Sequence, residues 1–313
     1  MTLPIPNEKK YLRAIDHARH GKPGYKQGLS VPDITIKYGN LLSRFKSLPF
    51  YLTTIIATLR ELDRSVKSNQ ANPYSGNRTI APVDLEDMAA YARSLGVSGI
   101  GYATLAESHL FQHSIALFSH SIVFSMEMKK NEIEKAPSIQ TIKEIFRTYH
   151  ELGKVVNLVS AFLRSRGYNA QPIAAISNNI NLTLLARDAG LGEFGKHGLL
   201  ITREFGPSVR LAAILTDIEN LPLPSTPGME WIKSFCDSCN ACVRACPAQA
   251  IYMTPVILDD GSEEHIDYKR CAVPFSTQNG CTVCIKRCVF FKTSFEKIEK
   301  GLHRKREIPA AKP

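Results

Sequence analysis

Residues 235–247 read Phe235-Cys236-Asp237-Ser238-Cys239-Asn240-Ala241-Cys242-Val243-Arg244-Ala245-Cys246-Pro247. The spacing is C-x2-C-x2-C-x3-C-P, which holds a four-iron, four-sulfur cube through thiolates. Three closely spaced thiolates wrap three irons of one cube. The fourth, followed by a proline turn, points away to a second cube. A second run follows as Cys271-x9-Cys281-x2-Cys284-x3-Cys288. By this crossing, Cys236, Cys239, Cys242 and Cys288 share one cube, and Cys246, Cys271, Cys281 and Cys284 share the other. The chain has eight cysteines, all in these two runs, so none is left over.

Other uses of cysteine fit less well. A disulfide framework belongs to short secreted chains. Zinc also uses C-x2-C pairs, but four ligands around one ion do not call for this run. Two departures from a duplicated ferredoxin stand out: Val289 replaces the second proline, and the Cys271–Cys281 gap is long. Two adjacent cubes make an electron wire, and a wire needs something at its end.

The rest of the chain supplies room for that. It has 313 residues, 44 % hydrophobic and 22 % charged, an ordinary globular composition with length for about two domains. No window holds the roughly 20 apolar residues of a membrane span; the best stretch, Phe50 to Leu59, carries three threonines, Thr53, Thr54 and Thr58. The start, MTLPIPNEKKYLR, has no apolar h-region. These features predict a soluble, cytoplasmic protein without a membrane partner. The net charge is +10, concentrated at the two ends. The basic run Lys300–Arg306 reads as a solvated, disordered end, or as a contact for nucleic acid or an acidic partner. No aromatic residue follows Phe295, which argues against single-stranded nucleic acid.

Local patterns divide the chain into a 1–80 extension and linker, an α/β domain over 81–228, a ferredoxin-like two-cluster module over 229–295 and a basic tail over 296–313. Residues 47–66 read as a helix and 68–79 as a loop. Asp84 is the expected cap of a helix ended by Gly96. Residues 97–104 and 120–126 read as strands. Ser138 caps a helix that continues to Gly167, and 181–189 is a further helix. Residues 199–202 and 209–216 are β-rich, and the proline-rich 221–228 is a connector. The fold class is α+β. Gly190-x-Gly192-x-x-Gly195 matches the dinucleotide fingerprint, but it follows a helix and leads into a strand, the wrong context for that site. The glycines instead allow close passage of a ligand or make tight turns.

Residues 186–217, ARDAGLGEFGKHGLLITREFGPSVRLAAILTD, resemble the matching stretch of the corrinoid-dependent iron–sulfur reductases, the epoxyqueuosine reductases and reductive dehalogenases. In those families an A-G-L-G-x-x-G-[KR] segment precedes L-[LI]-[IT]-x-x-[FY]-G, a strand ending in T-D, and then the two-cluster module. Residues 91–102 and 162–170 are also similar, so the likeness spans about 81–290. It implies a nitroreductase-like corrinoid-binding domain holding a base-off cobalamin beside the proximal cluster. It implies cofactor contacts at Gly192, Gly195, Lys196 and Gly198, with Lys196 meeting a corrinoid phosphate or amide. It further implies a low-potential electron donor such as a ferredoxin or flavodoxin, and reductive cleavage of a small-molecule substrate. No D-x-H-x-x-G motif is present; 16–21 (DHARHG) has the wrong spacing. The aspartate of the family's D-S-A-P segment has no counterpart in 176–180 (ISNNI). The helical-repeat tail used on tRNA and a twin-arginine signal are not seen in this sequence either, so epoxide reduction on tRNA is not expected.

The catalytic residue is thus not assigned. Tyr102 and His197 are the candidates for a proton donor, with Tyr168 behind them, although packing in a strand or after a helix accounts better for the tyrosines. His109, His113, His120 and His150 show no ligand spacing. Three functions compete. One is a corrinoid-dependent reductase. Another is a 4Fe–4S electron-transfer protein without corrinoid that docks a redox partner. The third is a nucleic-acid-modifying enzyme guided by the basic ends.

Overall fold

The computed structural model describes residues 7–21, 37–38, 41–112, 114–177, 179–224, 228–259 and 261–307. Expectations that fall on His113, Asn178, 225–227 and 308–313 lie outside the described residues.

Helix α1 (Leu41–Lys67) opens the ordered core and is followed by α2 (Pro82–Ser94). The cap of α2 is Ala81 with Pro82 at the first helical position, not Asp84. Proline suits that place because its missing N–H would be unpaired anyway. Asp84 sits in the first turn and accepts the Tyr168 hydroxyl proton at 2.7 Å, with Arg166 paired beside it. Strands β1 (Gly99–Thr104) and β2 (His120–Glu127) follow, then the long helix α3 (Ile139–Ser165). The Ser138 hydroxyl accepts the Thr141 N–H and starts α3 as a single helix. Next come β3 (Gln171–Ile173), α4 (Leu182–Asp188), β4 (Glu193–Phe194), β5 (Leu200–Ile201) and β6 (Val209–Thr216).

Strands β1, β2, β6 and β3 form one four-stranded sheet in that order, each neighbour antiparallel. Side chains alternate across it, as the two-residue repeat of a strand demands. Ile122, Phe124, Met126, Ala212 and Ile214 join the core under α2 and α3. Val123, Leu211, Ala213 and Leu215 face the second core with Leu185 and Ala186 of α4. Both faces are therefore covered. Each fully buried Phe or Ile contributes on the order of 1.5–3 kcal/mol relative to exposure. The 1–80 segment contributes Leu62, Val66 and Ile80 to the buried core. Asn157 of α3 donates to the Glu61 carboxylate at 2.9 Å and ties α1 down. The glycine fingerprint joins α4 to the β4–β5 hairpin, so the strand–turn–helix of a dinucleotide site is not formed.

The cysteine-bearing segment follows as α5 (Trp231–Cys239), α6 (Ala241–Ala245), β7 (Ile251–Ile257), β8 (Glu263–Ile266), α7 (Tyr268–Thr277), α8 (Val283–Arg287), α9 (Val289–Lys292) and α10 (Phe295–Glu307). Ile285, Phe290, Phe291, Phe295 and Ile298 belong to the same core as α3. The expectation of a disordered basic end is corrected: helix α10 runs to Glu307 and buries Phe295 and Ile298. Arg203 stacks 4.5 Å from the Phe295 ring and pairs with Glu296. Among the described residues no helix is long and apolar enough to cross a membrane.

Candidate metal centre

The first cysteine run folds as two short helices with a sharp corner between them. Cys236 and Cys239 lie on the last turn of α5. Asn240 then takes a left-handed conformation (φ 48°), which asparagine tolerates better than most residues. The chain re-enters α6 at once, bringing Cys242 back beside the other two. Cys288 arrives from the far end of α8. Together Cys236, Cys239, Cys242 and Cys288 line one narrow cavity.

Cys246 ends α6 in extended conformation, and Pro247 and Gln249 (φ 49°) turn the chain away. Its sulfur accepts the Ala250 N–H at 3.3 Å. The long gap in the second run is filled by α7, which carries Cys271 and is capped by the Asp267 carboxylate. Asn279 and Gly280 then take positive φ, and Gly280 lies against Ile142, where a Cβ would come within 3.1 Å of that side chain. Cys281 and Cys284 follow. Cys246, Cys271, Cys281 and Cys284 line a second cavity of about 210 Å³. At the other end of the run, the Phe291 N–H bonds the Cys288 carbonyl as α9 begins.

Burial pushes the Cys236 and Cys271 thiols up to about 11 and the Cys288 thiol up to about 12, with neighbouring cysteines adding to each. Burial also raises the Cys284 thiol well above its usual range, and one of its neighbours is Cys242 of the other group, so the two cavities adjoin. Thiols this reluctant to ionise are deprotonated by a bound metal instead. Backbone N–H groups face the sulfurs: that of Lys196 at Cys236, and those of Phe290 and Phe291 at Cys288. Among the described residues, no three His, Cys, Asp or Glu side chains converge on a single ion. The thiols stand instead along the walls of the two cavities. A donor set made of thiolates suits an iron–sulfur cluster.

The β4–β5 hairpin lies against both groups. Its glycines answer to the chain's own packing. A Cβ on Gly192 would lie 2.3 Å from the Ile201 carbonyl oxygen, and one on Gly195 would lie 2.6 Å from the His197 ring. Gly198 has φ +73° and lies under His265. The buried Lys196 donates to the Asn240 side chain at 2.9 Å and pairs with Asp237 at 3.2 Å, beside the first cysteine group. His197 lines both cavities. Burial, with His265 nearby, brings its imidazole down to about 4, so the ring is neutral near pH 7. The structure does not bring Tyr102 here: it packs on the helix-facing core and lines neither cavity. Tyr168 is buried between Asp84 and the Ala81 N–H.

Beyond the second cavity a further hollow of about 140 Å³ runs along β6, lined by Ala175, Leu182, Thr183, Leu200 and Leu211. Leu199, Pro207, Val209 and Arg210 border both spaces. The Arg210 guanidinium lies 4.2 Å over the Tyr149 ring and donates to its hydroxyl at 3.2 Å, while its Nε is buried without a partner. The Thr282 hydroxyl is likewise unpaired. Sequence reading missed Arg210, although a lone cation in the apolar strand VRLAAILT was its signal. It also missed His265, which nothing in the spacing marks.

Comparison with known proteins agrees with this geometry. Residues 235–291 match the family model of the 4Fe-4S dicluster domain. The tetrachloroethene reductive dehalogenase of Desulfitobacterium hafniense is 34 % identical over 197 residues, 58 % of this chain and 34 % of that protein. The epoxyqueuosine reductase of Listeria monocytogenes is 26 % identical over 249 residues, covering 66 % of this chain and 64 % of that one. The chain thus spans about a third of the length of the curated dehalogenases it matches. A solved reductive dehalogenase, described with a mechanism for B12-dependent dehalogenation, superposes with a TM-score of 0.63 at 19 % identity, over 80 % of this chain and 39 % of that one. That likeness is one of fold: a nitroreductase-like α+β domain followed by an iron–sulfur module. By sequence the chain is similar to the iron–sulfur reductases that include the reductive dehalogenases and epoxyqueuosine reductases, and it shares the dehalogenases' fold.

Proposed function

We propose that the protein is a low-potential reductase. Two 4Fe–4S cubes pass electrons one at a time to a corrinoid, which serves the reductive cleavage of a carbon–halogen or related bond in a small substrate. A ferredoxin or flavodoxin supplies the electrons. The observation that carries this reading is the sorting of eight thiols into two adjoining cavities, the second bordering a hollow at Arg210, whose Nε is unpaired. Buried unpaired groups are costly, and Arg210 Nε, on the wall shared by the second cavity and the hollow, fits the amide-rich rim of a corrin. The relative described as B12-dependent supports the same cofactor.

When bound, a corrinoid supplies a cobalt centre that, once reduced, is a strong nucleophile or one-electron donor. The chain's own residues do the rest. The eight cysteines would hold two cubes in adjoining cavities, where such clusters would supply electron transfer. Leu182, Leu199 and Val209 exclude water from the hollow. Arg210, braced on Tyr149, orients an acceptor group. Lys196 places a positive charge near the first group and offsets part of its thiolate charge.

One observation favours a second reading. The hollow holds about 140 Å³, whereas pockets for small ligands usually enclose ~300–1,000 Å³. An electron carrier that docks a redox partner needs no such volume. Anaerobic reconstitution with iron, sulfide and hydroxocobalamin separates the two. Stoichiometric cobalt retained after gel filtration, and weakened by Arg210→Ala, is the expected result. Full iron loading with no retained cobalt would overturn the corrinoid reading and leave the carrier.

A further inference from the structure

Among the described residues, His197 is the one common to the walls of the two thiol-lined cavities. It is only 3 % exposed. Its Nδ1 accepts the Leu199 backbone N–H at 3.2 Å. In a neutral imidazole this leaves the ring proton on Nε2. Nε2 is buried, and among the described residues no group pairs with it. Such an N–H is seldom left unpaired without a reason. Gly195 makes the arrangement possible, because a Cβ there would strike the ring at 2.6 Å from Cε1. The neighbouring cation does not compete for the role, since Lys196 is held by Asn240 and Asp237.

We propose that the Nε2–H of His197 hydrogen-bonds a sulfur atom of an iron–sulfur cluster beside it, making His197 a positioning residue that sets that cluster's reduction potential. The proposal rests on the two-cluster reading above. A hydrogen bond to cluster sulfur stabilises the more negative, reduced state, and so raises the potential. Because His197 borders both thiol groups, it biases the potential difference between the cubes and hence the direction of electron flow. His197 acts through the cluster and need not touch the substrate.

The test uses the full chain reconstituted with iron and sulfide alone, so no activity assay enters. Protein labelled with ¹⁵N-histidine is reduced and examined by electron–nuclear double resonance. The expected result is coupling from a histidine nitrogen, absent in His197→Leu. His197→Leu should also lower the midpoint potential of one cluster, and His197→Gln, which restores an N–H near the same place, should recover part of the shift. No histidine coupling in fully loaded wild-type protein would overturn the proposal, even if the leucine variant fails to fold. Equal potentials in wild type and a fully loaded His197→Leu would also overturn it. Iron far below two clusters in the wild type would overturn the two-cluster reading, and this proposal with it.

Discussion

Cys246 and Cys288 each leave their own run and join the other cavity. This exchange gives a sharp prediction. Cys242→Ser with Cys288→Ser removes two ligands from one group and should leave about four irons, the content of one cube. Cys246→Ser with Cys288→Ser damages both groups and should leave close to none. Near-complete iron loss in the Cys242→Ser/Cys288→Ser variant as well would mean that each run holds its own cube. The cysteines were legible in the sequence because ligand spacing is imposed by the cluster. The hairpin residues were less so. Lys196 was expected at a corrinoid phosphate or amide, and the structure pairs it with Asn240 and Asp237 instead. Those partners lie more than forty positions away, and no local pattern announces them. Gly195→Ala tests the same contact set. Its methyl would displace the His197 ring, so it should perturb the cluster signal while the far-ultraviolet circular dichroism stays unchanged.

At the scale of elements, helix caps and glycine stops were readable in advance, because their chemistry is local. Ser138 is the clearest case: Ser138→Ala should lower stability by about 1 kcal/mol in a denaturant titration. No change would mean that α3 starts elsewhere. Asn240 joins α5 to α6 at φ 48°. Asn240→Ala puts a residue without a local hydrogen bond into a left-handed conformation, at a cost of roughly 1–2 kcal/mol, and also frees Lys196. It should therefore lower both stability and iron retention, whereas Asn240→Gly should spare the backbone and lose only the Lys196 contact. The β7–β8 hairpin escaped sequence reading, because Pro255 in the middle of a run argues against a strand. A two-stranded ribbon is all edge, so the missing N–H can face solvent. The start of α2 was misread for the opposite reason. Asp84 has the right chemistry for a cap, but Pro82 sets the first helical position and assigns the carboxylate to Tyr168. Tyr168→Phe removes that bond and should lower stability by about 1 kcal/mol.

At the scale of the molecule, the sheet is covered on both faces, and the cysteine-bearing segment completes the core under α3 through Phe290, Phe291 and Phe295. Alternating apolar residues in the strands made this layering legible. The docking of α10 was not, because its single buried stripe of Phe295 and Ile298 is masked by the basic residues around it. The same packing sets the two thiol groups side by side, so clusters held there would not behave as independent centres. The most direct measurement is electron paramagnetic resonance of the iron-loaded chain at full reduction, with spin counted per chain. The account predicts about two spins with a broadened signal from two neighbouring 4Fe–4S cubes. One narrow signal integrating to about one spin, or none with zinc bound instead, would contradict it.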